Sequence, residues 1–96
     1  MINLDPLNQD TICAISTPQG MGGIAVVRVS GSRAFEIVQS RWQGKDLNQC
    51  ESHTVHLGRI VDTQGNVLDE VVVTLFRNPR SFTGEDVIEI ACHGSI

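Results

Sequence analysis

The stretch TPQGMGGIAVVRVS, residues 17–30, runs from a proline- and glycine-punctuated loop into an apolar β segment with an arginine, Arg28, in its middle. Strand alternation puts Ile24, Val26, Arg28 and Ser30 on one face and Ala25, Val27 and Val29 on the other. Both faces are apolar toward the middle, which predicts a strand inside a sheet, not at its edge. A second segment, VIEIA (87–91), repeats the anomaly with Glu89 as its lone charge. An interior ion without a partner costs several kcal/mol, so both charges need compensation. Three solutions are open: direct pairing across neighbouring strands, escape to solvent, or a shared pocket for a ligand offering donors and acceptors. In the last case the carboxylate suits the paired N–H donors of a pterin or guanine edge, and the guanidinium suits a ring carbonyl or a carboxylate.

Outward from these strands, DTICAIS (10–16) reads as a further strand joined to 24–30 through the glycine loop. GSRAFEIVQSRW (31–42) changes period: Phe35, Val38 and Trp42 fall at i, i+3 and i+7, predicting one short amphipathic helix with Ser32 as its cap. HTVHLGRIV (53–61) and VLDEVVVTLF (67–76) flank DTQGN and predict a hairpin. RNPRSFTGED (77–86) reads as loop with one helical turn, from the capping-box spacing of Thr83 and Asp86. About five strands and one or two short helices predict an α+β fold with a mixed, mostly antiparallel sheet. The closing strand followed by HGS looks like the entry to another helix, so 1–96 is expected to be a single domain cut from a longer protein.

A length of 96 residues, 41% hydrophobic and 19% charged, fits one small globular domain. The net charge of −4 argues against general attraction to nucleic acid or anionic membranes, and no apolar run reaches spanning length. MINLDPLNQD is the wrong start for a secretion signal, which gives a cytoplasmic expectation. Cys13, Cys50 and Cys92 read as reduced thiols. Gly20, Gly22 and Gly23 match neither a Walker A motif nor a dinucleotide fingerprint, since a strand follows them. Cys50, His53 and His56 have metal-like spacing, but strand alternation turns the two histidines apart. Cys92 and His93 are neighbours in sequence, which does not make a catalytic dyad. The acid pairs Asp69–Glu70 and Glu85–Asp86 read as solvated charge.

Taken together and in order, DTICAISTPQGMGGIAVVRVSG (10–31) and LDEVVVTLFRNPRSFTGEDVIEIACHGS (68–95) closely resemble the amino-terminal domain of the tRNA modification GTPase family called MnmE or TrmE. The resemblance implies a folate-binding fold similar to that of the glycine cleavage aminomethyltransferase. It also implies a homodimer holding a tetrahydrofolate one-carbon carrier, 5-formyl- or 5,10-methylene-, near its interface. The arginine of VVRVS and the second glutamate of GEDVIEI belong to the family's folate site, which carries over to Arg28 and Glu89. GTP, Mg and K are implied only for a separate GTP-binding domain. The partners implied are an MnmG or GidA flavoprotein and tRNA, whose wobble uridine is modified at C5. Two rival expectations stand beside this one: a free-standing folate-dependent one-carbon transferase, and a purely structural dimerisation module in which Arg28 and Glu89 only neutralise each other.

Overall fold

The computed structural model describes residues 11–15, 24–81 and 84–93. Within them the chain forms β1 (Ile12–Ile15), β2 (Ile24–Ser30), α1 (Ala34–Gln39), β3 (Trp42–Gln43), a 3-10 turn (Leu47–Gln49), β4 (Thr54–Val61), β5 (Val67–Phe76) and β6 (Val87–His93). The six strands make one sheet in the order β1-β2-β6-β5-β4-β3, and every neighbouring pair is antiparallel. Sequence reading anticipated about five strands in a mixed, mostly antiparallel sheet; the antiparallel character is borne out, β3 is the addition, and the described sheet contains no parallel pair. The expected helical turn in 77–86 is not formed by its described residues, and Thr83 lies outside them, as does the whole loop 16–23.

One face of the sheet is covered and one is largely open. Val29, Ile88, Val73, Val71 and Leu75 project to the covered face, where they pack with Ala34, Phe35 and Val38 of α1 and with Leu47 of the 3-10 turn. Leu47, Leu75, Val73 and Ile88 are wholly buried, each contributing about 1.5–3 kcal/mol by removal from water. Arg77, just past β5, ties this layer down. Its guanidinium lies 4.2 Å from the centroid of the Phe35 ring and donates to the carbonyl oxygens of Leu47 (3.0 Å) and Cys50 (2.7 Å). It thus gives the Cys50 carbonyl a donor and adds a second one to the Leu47 carbonyl, which already accepts the Cys50 N–H.

The helix is shorter than its periodicity implied. Arg33, not Ser32, occupies the N-cap position, without a side-chain cap hydrogen bond, and the helix ends at Gln39. Trp42 therefore belongs to β3, where it pairs with Ile60, and its indole Nε1 donates to the Lys45 carbonyl at 2.7 Å. An i+7 apolar residue was indistinguishable in sequence from a residue one turn beyond the helix that re-enters the same core. The Trp42 ring lies over Gly58 of β4, where any Cβ would overlap it. Gly58→Ala is expected to destabilise the domain by about 1–3 kcal/mol in denaturant unfolding, the cost of overpacking a filled site. An unchanged midpoint would contradict this packing.

Candidate functional site

Arg28 and Glu89 stand directly opposite each other in the β2–β6 register, with Ala14 beyond Arg28 on β1 and Thr74 beyond Glu89 on β5. By alternation this row lies on the open face, away from Val29 and Ile88. The two charges meet: Arg28 donates from Nε (3.0 Å) and Nη2 (2.5 Å) to the same oxygen, Glu89 Oε2. Of the three solutions to the burial problem, direct pairing is therefore the one seen in the folded chain. The side chains remain 34% and 22% exposed, and Oε1 of Glu89 accepts no hydrogen bond among the described residues. One oxygen of the carboxylate is held by Arg28 and the other has no partner among the described residues.

The rows on either side of the pair differ in character. Toward one end, Val26, Ala91, Val72 and Leu57 follow one another across the sheet. Ile24, Leu57, Val72 and Ala91 line a small apolar concavity of about 240 Å³ there. Ile24, Val55 and Leu57 are each more than 60% exposed on this face. Toward the other end the row is Ser30, Val87 and Phe76. Ser30 is buried, and its hydroxyl meets Glu85 at 3.3 Å, while Val87 is covered completely. Beside Phe76 lies a polar pocket of about 440 Å³ lined by Ser52, His53, Phe76, Arg80 and Ser81. A third cavity, about 320 Å³ and mostly apolar, opens on the helix side among Val27, Ile37, Leu68 and Ile90. Neither Arg28 nor Glu89 lines any of these three; they sit between the two on the open face.

The remaining sequence candidates resolve differently. Cys13 is exposed, Cys50 buried and Cys92 partly buried, all as free thiols. Burial, and then the Asp69 carboxylate, push the Cys92 thiol above its ordinary pKa, the opposite of what a nucleophile needs. His93 turns to Asp69 instead. Its backbone N–H reaches Oδ2 at 2.8 Å and its Nδ1 lies 2.7 Å from Oδ1. Those contacts, the backbone one first, hold the Asp69 carboxyl below the usual carboxylate range. Asp69 and Asp86 are thus partnered groups and not merely solvated charge, since Asp86 accepts the Asn78 N–H at 2.8 Å. His53 and Arg80, which line the polar pocket, were not singled out for it by sequence, because the loop from 77 brings Arg80 beside residues 52–53 only in the folded sheet.

The sequence matches the family described as GTP-binding protein TrmE N-terminus over residues 11–96. It is 55% identical over 86 residues to the tRNA modification GTPase MnmE of Cytophaga hutchinsonii, covering 90% of this chain and 18% of that protein. The same-named protein of Flavobacterium johnsoniae is 53% identical over 92 residues, 93% of this chain and 20% of its own. That of Bacillus velezensis is 54% identical over 91 residues, 91% of this chain and 20% of its own. The chain thus spans about a fifth of the length of these curated relatives.

Two outcomes test the geometry. In a double-mutant cycle, Arg28→Met and Glu89→Gln should show a coupling of about 1 kcal/mol, the upper range for partly exposed pairs; additive losses would mean that the contact does not persist in solution. Asp69→Asn should lower the melting temperature at neutral pH. Because the folded carboxyl is depressed, its contribution is present above the ordinary carboxylate pKa and lost as pH falls through the folded value. The gap between Asp69→Asn and wild type should therefore close in acid; a gap constant with pH would contradict the assignment.

Proposed function

Because the chain belongs to the TrmE N-terminal family, matched over residues 11–96, we propose that residues 1–96 form the folate-binding and dimerisation domain of a longer tRNA modification GTPase. The domain presents a tetrahydrofolate one-carbon carrier, 5-formyl- or 5,10-methylenetetrahydrofolate, and does not itself turn over. Its fold is that of the folate-binding domain of the glycine cleavage aminomethyltransferase. GTP, with Mg and K, is handled by another domain of the same protein. An MnmG or GidA flavoprotein joins in modifying C5 of the wobble uridine of tRNA, in the cytoplasm.

The observation that carries this reading is the partly exposed Arg28–Glu89 pair, one carboxylate oxygen occupied and the other without a partner among the described residues, set between an apolar and a polar concavity. The donor set suits a pterin. Glu89, held by Arg28 through Oε2, keeps its other edge for the ring's N–H donors, and the guanidinium is placed to meet a ring carbonyl. The apolar row of Val26, Ala91, Val72 and Leu57 offers a flat surface beside them. The exposed Ile24, Val55 and Leu57 give a second copy of the chain apolar area to cover on the same face, which would place the ligand near a dimer interface.

The 2.5 Å contact favours a second reading, in which the pair only balances charge inside a structural dimerisation module. Calorimetric titration of 5-formyltetrahydrofolate into the full-length protein separates the two. Binding is expected to the wild type, accompanied by a raised melting temperature, and Glu89→Ala should weaken it at least about tenfold. Absence of binding to a folded wild type would leave the structural reading. Equal affinity in both would remove Glu89 from the site.

A further inference from the structure

The polar pocket beside the open face has a sign opposite to that of the chain. The protein carries a net charge of −4, yet the pocket is lined by a guanidinium, an imidazole, two hydroxyls and one aromatic ring, with no carboxylate among them. Arg80 supplies the charge. Its backbone is fixed, its N–H donating to the Arg77 carbonyl at 2.8 Å, while the flanking loop is pinned by Ser81 to the Glu85 carbonyl and by Asn78 to Asp86. Its side chain is exposed, and among the described residues no carboxylate pairs with it. The loop therefore presents a cation whose backbone is anchored and whose charge no described carboxylate neutralises.

His53 is held with similar care. It adopts φ of 63°, a left-handed conformation uncommon for a residue with a side chain, and its ring stands edge-on to Phe76 with centroids 5.2 Å apart. Ser52 Oγ accepts the Arg77 N–H at 2.9 Å and lies 2.8 Å from His53 Nδ1, a contact that orients the ring. When Ser52 is the donor in that contact, the ring carries its proton on Nε2 and can donate from there. A guanidinium and an imidazole facing one pocket that no carboxylate lines are the chemistry of an oxyanion site, while the two hydroxyls are engaged in holding His53 and the loop.

Its position identifies the oxyanion. Phe76 lies in the row next to that of Arg28 and Glu89, and His53 follows on the β4 side. From strand spacing and rise, the backbone of Phe76 lies about 8 Å from that of Glu89 and that of His53 about 12 Å from it. A pterin joined through an aminobenzoyl group to glutamate spans a distance of that order, and Phe76 stands where the linking ring would lie. We propose that the pocket formed by Ser52, His53, Arg80 and Ser81 is the subsite for the glutamyl carboxylates of the folate, so that this domain selects polyglutamylated carriers. This rests on the folate reading given above.

The test uses the full-length protein, wild type and Arg80→Ala, with three probes: 6-methyltetrahydropterin, which has no tail, and 5-formyltetrahydrofolate carrying one or three glutamates. Wild type should bind the triglutamate several-fold more tightly than the monoglutamate. Arg80→Ala should lose about tenfold for the triglutamate, one charge-assisted contact, and nothing for the pterin. If both proteins bind the triglutamate alike, the subsite is overturned while pterin binding still upholds the folate reading. If wild type binds none of the three, both fall. Arg80→Ala that weakens tRNA binding but not folate binding would make the pocket an RNA contact and overturn the proposal.

Discussion

The contact between Arg28 and Glu89 fixes the register on which the rest of the sheet depends. The two residues are direct partners across β2 and β6, the strands that link the β1 edge to the β5–β4 hairpin. A slip of one residue in either strand would carry a charge onto the face packed by Val29 and Ile88, against α1. The cost of burying that charge unpaired exceeds what any single apolar contact returns. Pairing therefore separates the faces: Val29, Ile88, Val73 and Leu75 close the core on one side, and the ions remain on the other.

That separation also explains why function is sought on the open face. A covered face filled by Phe35, Val38, Trp42 and Leu47 leaves little freedom for chemistry, and the close approach of Trp42 to Gly58 shows how tightly it is filled. The open face varies from end to end, with apolar side chains about Ile24 and Leu57, the ion pair in the middle, and His53, Phe76 and Arg80 at the loop end. A ligand with a hydrogen-bonding heterocycle at one end and carboxylates at the other matches that gradient.

Much of this was legible in the residues. The alternation in 24–30 gave β2 with its observed ends, Asp62 to Asn66 marked the hairpin turn between β4 and β5, and the two isolated charges left direct pairing across neighbouring strands as one of three solutions. Three features were not legible, for physical reasons. Trp42 kept helical spacing while belonging to a short strand, because both placements bury the ring in the same core. Arg77 looked like a loop residue, yet it stacks on Phe35 and satisfies carbonyls 27 and 30 positions earlier, contacts that only tertiary folding creates. The polar pocket draws on residues 52–53 and 80–81, brought together by β4–β5 pairing and the loop, with no local pattern to announce it.

The central claim is that the Arg28–Glu89 pair is a ligand-binding edge as well as a charge balance. Its most direct test is the Arg28 Nε–H resonance in a ¹⁵N-labelled protein, followed as 5-formyltetrahydrofolate is added. A contact between this guanidinium, its carboxylate and a pterin predicts a saturable shift of that signal, with backbone shifts centred on β2, β5 and β6 and reaching the residues beside the polar pocket. Saturable binding reported elsewhere in the protein, with the Arg28 signal unmoved, would contradict the account.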